Sequence, residues 1–205
     1  MQMSAEQRWE KVQDVAARGY LDAIDTLACM EVLGAGNKPV LIRRIDQAGG
    51  KSACELIYKS LFQRLLLNTM RAYDPVRGGD FHLAVAFEVL AEPDVMAIAK
   101  RRDSYPHISA ATDLWHQTAT DDRTLKLRHY RNKVVAHLSD LDPTMRLPIN
   151  NDLFVIAGTT TKIAENLSIG TGACTIELRQ QTGAYRQSAE CFWSVWLTKC
   201  RKAEP

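Results

Sequence analysis

Apolar residues recur at helical spacing along almost the whole of this 205-residue chain, and no stretch of useful length alternates with a period of two. The first pattern predicts amphipathic α-helices, and the second would have predicted strands, so we expect an all-α bundle of about seven or eight helices. No repeat of fixed period and no low-complexity segment divides the chain. The sequence therefore predicts one domain, residues 1–205, with its core at about residues 20–170 and a C-terminal helix, 173–202, packed on it.

Start and stop signals place the first helices. Ser4 with Gln7 forms a capping box that predicts the start of a helix over 4–17. A second helical segment, 20–33, is expected to end at the glycines that follow it, Gly34 and Gly36.

A long helix is predicted from residue 53 to Asp74-Pro75, where proline stops it. Segment 153–167 contains many β-branched residues, which leaves a strand open as an alternative to a helix there. We expect the next residues, "SIGTG" (168–172), to form a turn. One side of the long helix is nearly apolar and predicts burial of Leu56, Phe62, Leu65, Leu66, Met70 and Tyr73.

The sequence Gly50-Lys51-Ser52 resembles the end of a phosphate-binding loop. The full pattern requires a glycine five positions before Gly50, where this chain has Ile45. It also requires a preceding strand, and a lone "PVLI" strand would have no partner strands. We therefore expect a turn between two helices, with Ser52 as the N-cap of the second.

Several classes of site are disfavoured by the composition. The net charge is +2, so any polyanion must be bound by a local patch. The five cysteines are odd in number and include no CxxC pair, and the five histidines are scattered, so neither a disulfide framework nor a metal site is predicted. No cofactor is indicated. The polar N-terminus and the lack of an apolar run of about 18 residues predict a cytoplasmic protein without a membrane span.

The segment 121–142 is predicted to be one helix, and Arg131 lies in the middle of its apolar stripe. At about 100° per residue, the stripe contains Leu127, Val134 and Leu138. Burying an unpaired arginine there would be very unfavourable. Arg131 must therefore meet a cleft, a partner molecule or a carboxylate from a neighbouring helix, for which Asp113 and Glu88 are candidates.

His137 lies six residues after Arg131, which separates the two side chains by roughly 120° around an α-helix. Within one chain they would not point at the same place. Two copies of this helix meeting about a two-fold axis would bring Arg131 and His137 together in one cleft. The pair therefore predicts a homodimer.

Basic residues occupy the other face of the same segment. Helical spacing joins Arg123, Lys126, Tyr130 and Lys133, with Arg128 nearby. Such a face is explained equally well as solvated surface or as a modest strip for RNA contacts.

The sequence "RNKVVAH" (131–137) resembles the Arg-polar-x4-His motif of the HEPN superfamily. With the preceding long apolar helix, "ELIYKSLFQRLLLNTMRAYDP", the chain is similar to the AbiU-type abortive-infection branch over roughly residues 20–170. The resemblance implies an all-α bundle, often homodimeric, with the motif at the dimer cleft.

Many HEPN proteins are metal-independent endoribonucleases of toxin–antitoxin and phage-defence systems, and other branches keep the fold as binding modules for nucleotide, RNA or a protein partner. The resemblance makes Arg131 and His137 the catalytic pair and Asn132 the polar residue that orients the phosphate or the imidazole. Lys126, Arg128, Tyr130 and Lys133 would contact RNA. A cognate antitoxin is an implied partner, and a small nucleotidyltransferase encoded next door would favour a toxin role.

Overall fold

A computed structural model of the chain describes residues 3–136, 150–174 and 176–197, and all regular structure in these residues is helical. The all-α prediction is confirmed. The described residues hold nine α-helices and one π-helical segment, more than the seven or eight helices expected. The π-helical segment is Arg131–Ala136, and the α-helices are α1 (Ala5–Gly36), α2 (Pro39–Gln47), α3 (Lys51–Arg71), α4 (Leu83–Leu90), α5 (Pro93–Lys100), α6 (Tyr105–Ala119), α7 (Asp122–Tyr130), α8 (Asn150–Thr171) and α9 (Leu178–Ser194).

Helix α1 is the central element and contacts α3, α4, α5, α8 and α9. Its predicted capping box is confirmed, because the Gln7 amide donates to the Ser4 hydroxyl (3.2 Å) and the Ser4 amide donates to the Gln7 side chain (2.9 Å). The two segments predicted separately, 4–17 and 20–33, form one continuous helix. Gly19 lies within it and faces α4, where an added Cβ would come within 2.8 Å of Leu83.

Segment 153–167 belongs to helix α8, so the strand alternative is wrong. The buried Thr160 explains how a helix accepts these β-branched residues, because its hydroxyl donates to the Ile156 carbonyl (2.7 Å) and remains satisfied in the core. The "SIGTG" turn is also wrong, since α8 continues to Thr171. Gly170 lies where α6 crosses α8, and a Cβ there would be 2.4 Å from the side chain of Ile108. Close helix packing, rather than a turn, accounts for this glycine.

The resemblance to a phosphate-binding loop does not extend to the structure. The "PVLI" residues begin α2 and are not a strand. The expected turn between two helices is confirmed, with Gly49 at a φ of 77°. Ser52 is not the N-cap, however: α3 begins at Lys51, its N-cap is Gly50, and the Gly50 carbonyl accepts from the Cys54 amide (3.0 Å).

Two groups of buried side chains hold the helices together. The main core extends through α1 and α3 to α8 and ends on Leu178 of α9. The second cluster joins α2, the start of α3 and the end of α9, and consists of Leu41, Ile45, Cys54 and Trp193.

The C-terminal helix α9 packs on α1. Arg186 forms an ion pair with Glu31 (3.0 Å), and the Trp193 indole donates to the Val32 carbonyl (2.9 Å). This helix, α9, is shorter than the predicted 173–202, and residues 198–202 lie outside the described residues.

Candidate functional site

Arg131 forms a bidentate ion pair with Asp74. Its Nη1 donates to Asp74 Oδ2 (3.0 Å) and its Nη2 donates to Asp74 Oδ1 (2.5 Å). The Arg131 side chain is 13% exposed and the Asp74 side chain 29%. The requirement for a carboxylate partner is met, but neither Asp113 nor Glu88 supplies it.

The end of α3 is held firmly, which fixes the position of Asp74. The preceding residue, Tyr73, is buried, and its hydroxyl shares a hydrogen bond of 2.8 Å with Thr160 on α8. Its ring stacks on Trp115 of α6 at a centroid distance of 5.0 Å. Burial raises the pKa of Tyr73, so its hydroxyl stays neutral. Three helices therefore meet at the residue before Asp74.

Helix α7, which leads directly into Arg131, begins at a strong cap. The Asp121 carboxylate accepts from the Arg123 amide (2.8 Å) and from the Arg123 guanidinium (2.6 Å). These hydrogen bonds lower the pKa of the Asp121 carboxyl group, so the cap is ionised at neutral pH. An anionic cap also complements the positive end of the helix.

A cleft of about 600 Å³ opens beside Arg131, between the end of α3, the loop to α4 and the π-helical segment. Its charged groups are of both signs. Arg71 is paired with Asp22 (2.5 Å), whereas the Arg77 side chain has no ion-pair partner among the described residues. The lining residues are Leu67, Arg71, Asp74, Pro75, Arg77, Asp80, His82, Arg131 and Asn132.

An aspartate and a histidine of this cleft are paired. The Asp80 carboxylate accepts from the Arg77 amide (2.7 Å) and lies 3.3 Å from His82 Nε2. The His82 side chain is only 8% exposed, and its Nδ1 is shielded from solvent without a hydrogen-bond partner. Asp80 and His82, like Asp74 and Arg77, belong to no site motif in the sequence.

The predicted catalytic residues fall partly within the described chain. Asn132 is exposed and lines the cleft next to Arg131. His137 lies outside the described residues, so its pairing with Arg131 stays a prediction.

The α-helix predicted over 121–142 is wrong at Arg131–Ala136, which is π-helical, and residues 137–142 of the prediction lie outside the described residues. The separation of 120° between Arg131 and His137 assumed α-helical winding, and it does not apply across a π-helical turn.

The predicted RNA-contacting residues differ in their surroundings. Lys126 pairs with Asp122 one turn earlier in α7, and Tyr130 packs against the main core. Arg128 is half-buried, and Lys133 is exposed. These four residues therefore do not form one uniform, solvent-facing strip, and their contact with RNA stays a prediction.

The described part of the chain contains no group of three or more histidine, cysteine, aspartate or glutamate residues placed to hold a metal ion, and its four cysteines are free thiols. None of its helices combines the length and apolarity needed to cross a bilayer. Comparison with protein-family models, curated proteins and solved structures finds no match.

Proposed function

We propose that this protein is a metal-independent endoribonuclease of the HEPN type, acting in a toxin–antitoxin or phage-defence system. The observation that carries the proposal is the position of Arg131, which lines an open cleft while Asp74 fixes its guanidinium from one side. An arginine held in this way is oriented before the substrate arrives, and preorganised charge of this kind stabilises a transition state most effectively.

The ion pair leaves Arg131 able to bind a second anion. A guanidinium has five N–H groups, and Asp74 accepts from two of them. The Nε–H is shielded from solvent, and the remaining hydrogens on Nη1 and Nη2 stay available. Arg77 and Asn132 line the same cleft without a hydrogen-bond partner for their side chains among the described residues. Together these groups suit a phosphate of RNA.

In the proposed reaction His137 performs the proton transfers. It accepts the proton of the ribose 2′-hydroxyl, the 2′-oxygen attacks phosphorus as the P–O5′ bond breaks, and the imidazolium returns a proton to the departing 5′-oxygen. The products are a 2′,3′-cyclic phosphate and a free 5′-hydroxyl. Arg131 neutralises charge on the phosphate oxygens, and Asn132 orients the phosphate. The active site is shared between two copies of the chain.

The test is cleavage of RNA by the purified protein in EDTA. We expect cyclic-phosphate products from the wild type and losses of about 10²–10⁴-fold for both Arg131→Ala and His137→Ala, as for removal of a transition-state donor or a proton-transfer group. Arg186→Ala is the matched arginine control, since Arg186 pairs with Glu31 on α1 and does not line the cleft. His116→Ala, at an exposed position of α6, is the histidine control. RNA that stays intact at high concentrations of wild-type protein would exclude the nuclease.

The shared site also requires a dimer. Light scattering should give twice the 23.0 kDa of one chain at the concentrations used in the assay. A monomer that cleaves RNA would leave the reaction in place and exclude the shared cleft.

A binding module without catalysis is the second candidate, and the charge content of the cleft favours it. Arg131 and Arg71 are already neutralised by aspartates, which leaves Arg77 as the cation that recruits a phosphate. Intact RNA that is nevertheless bound, with an affinity that falls in Arg77→Ala and with rising salt, would support this function over cleavage.

A further inference from the structure

Asp80 is held in place from several directions where it lines the Arg131 cleft. Its Oδ2 accepts from the Arg77 amide (2.7 Å) and lies 3.3 Å from His82 Nε2. The Asp80 amide donates to the Arg77 carbonyl (3.1 Å), which closes a turn over residues 77–80. The Asp80 carbonyl accepts from Lys11 Nζ on α1 (2.8 Å). Both the backbone and the side chain of Asp80 are therefore fixed before a ligand enters the cleft.

His82 holds the Asp80 carboxylate although its own burial is unfavourable. Its side chain is only 8% exposed, and its Nε2 carries the hydrogen of their contact because the carboxylate can only accept. The other ring nitrogen, Nδ1, is shielded from solvent and has no hydrogen-bond partner. A shielded polar atom without a partner lowers stability, and such departures are found chiefly at functional sites. The arrangement therefore indicates a function for the carboxylate that His82 holds.

One oxygen of the Asp80 carboxylate remains available to a ligand. The side chain is 33% exposed, and Oδ1 has no hydrogen-bond partner among the described residues and is not shielded from solvent. The other carboxylate that lines the cleft, Asp74, uses both of its oxygens on Arg131. A phosphodiester group has no hydrogen to donate, so a phosphate in the cleft cannot pair with Asp80. The donor must come from the sugar or the base of the bound nucleotide.

We propose that Asp80 accepts a hydrogen bond from a ribose 2′-hydroxyl of the bound strand and makes the cleft selective for RNA over DNA. This role rests on the proposed function, in which Arg131 and Arg77 bind phosphate. The 2′-hydroxyl of a nucleotide is attached next to the carbon that bears its 3′-phosphate. A phosphate at Arg77 therefore brings a 2′-hydroxyl to the same turn. This hydroxyl is also the group by which proteins distinguish RNA from DNA.

The hydroxyl at Asp80 belongs to a nucleotide beside the one that is cleaved. In the proposed reaction the attacking hydroxyl gives its only hydrogen to His137, so it has none left for Asp80. A base N–H is the alternative donor. Base edges point away from the sugar–phosphate backbone, however, whereas Arg77 and Asp80 lie within one turn. The position of the carboxylate therefore favours the sugar.

The experiment compares two oligonucleotides of the same mixed sequence, one with ribose throughout and one with 2′-fluoro sugars. Fluorine removes the hydroxyl donor and preserves the sugar conformation of RNA. Binding to the full-length protein is measured by fluorescence anisotropy, with His137→Ala in every sample so that the RNA stays intact. The ribose strand should bind about tenfold or more tightly than the fluoro strand, as expected for a hydrogen bond to a charged group. In Asp80→Ala the ratio of the two Kd values should fall to about one.

Two substitutions of His82 test its positioning role and keep the proposal testable even if Asp80→Ala does not fold. His82→Gln retains an N–H donor for Asp80 Oδ2 and should retain the preference for ribose. His82→Phe removes that donor and should reduce the preference without lowering the thermal unfolding temperature, because it also removes the unpartnered Nδ1. Asp113→Ala is the matched control, since Asp113 is exposed on α6 and does not line the cleft. Circular dichroism checks the folding of each variant.

Equal Kd values for the two strands, or a ribose preference that persists in Asp80→Ala, would overturn the proposal. An affinity that follows the base sequence and not the sugar would assign Asp80 to a base N–H and would also overturn it. The nuclease fails separately. Wild-type protein that prefers ribose and leaves RNA intact would exclude cleavage and retain the role of Asp80, whereas cleavage without a ribose preference in binding would do the reverse.

Discussion

The two halves of α3 have similar apolar composition but differ in how deeply their side chains are buried. In the C-terminal half Leu65, Leu66 and Met70 are completely buried in the main core. In the N-terminal half Leu56 is 65% exposed and Ile57 is 37% exposed. A single helix therefore passes from the middle of the protein to its edge over 21 residues.

Neighbouring helices explain the difference. The C-terminal half of α3 is followed by Tyr73, which is tied to α8 through Thr160 and to α6 through Trp115. The N-terminal half meets the short helix α2 and the end of α9, and these cover it through Cys54 and Tyr58. Apolar residues of a helix are buried only where another element crosses them. The Arg131 cleft lies at the buried end of α3.

The largest expected effect comes from truncating one leucine in each half. Leu66→Ala should lower the free energy of unfolding by about 2–5 kcal/mol, because it leaves a cavity in the main core. Leu56→Ala should change it by less than about 0.5 kcal/mol, because that side chain is mostly in solvent. Urea denaturation measures both. Equal losses of unfolding free energy from the two substitutions would show that neighbouring helices cover Leu56 as well as Leu66, which would contradict the difference in burial.

A pair of glycines near the end of α1 tests how tightly the second cluster is packed. An added Cβ at Gly36 would lie 2.2 Å from the Tyr58 hydroxyl and 2.7 Å from the Trp193 ring. Gly36→Ala should therefore lower stability by about 1–3 kcal/mol through overpacking. At Gly34 nothing lies within 4 Å of an added Cβ, and Gly34→Ala should raise stability by about 0.4–1 kcal/mol. If the thermal unfolding temperature rises for both variants, the second cluster is loosely packed.

The smallest expected effect is the coupling within the ion pair at the buried end of α3. A double-mutant cycle on Arg131 and Asp74 should give about 1–2 kcal/mol, since the pair is bidentate and mostly shielded. The same cycle on Arg64 and Asp25, whose side chains are more than half exposed, should give no more than about 0.5 kcal/mol. Indistinguishable coupling energies would contradict the difference in burial. Strong coupling combined with unchanged RNA cleavage in Arg131→Ala would assign the pair to stability alone.

Local signals in the sequence were sufficient for much of the helical structure. The Ser4–Gln7 capping box and the stop near Asp74-Pro75 depend on residues close together in the chain, and both are found. The turn predicted at "SIGTG" is wrong because Gly170 serves close packing against Ile108, a residue far away in sequence. Burial of Leu56 was wrongly predicted for a related reason. Periodicity identifies an apolar face of a helix, but it does not show which element covers that face.

The candidate site was predictable only in part. The position of Arg131 on an apolar stripe was enough to require a partner, because the penalty for an unpaired buried charge is general. The identity of that partner was not accessible, since Asp74 reaches Arg131 only through the packing of the end of α3 against α7 and the π-helical segment. His82 and Asp80 enter the cleft through a loop whose course no local pattern specifies.

The π-helical segment lets the chain change its length at one place with little consequence. A π-helical turn closes its hydrogen bonds five residues back, one more than an α-helix, so it holds one extra residue. Deleting one of residues 133–136 would let the turn rewind as α-helix with its backbone bonds intact. Arg131 and Asn132, which line the cleft, precede the deletion and would keep their direction. A deletion within α7, which has no extra residue, would instead rotate the residues after it by about 100°.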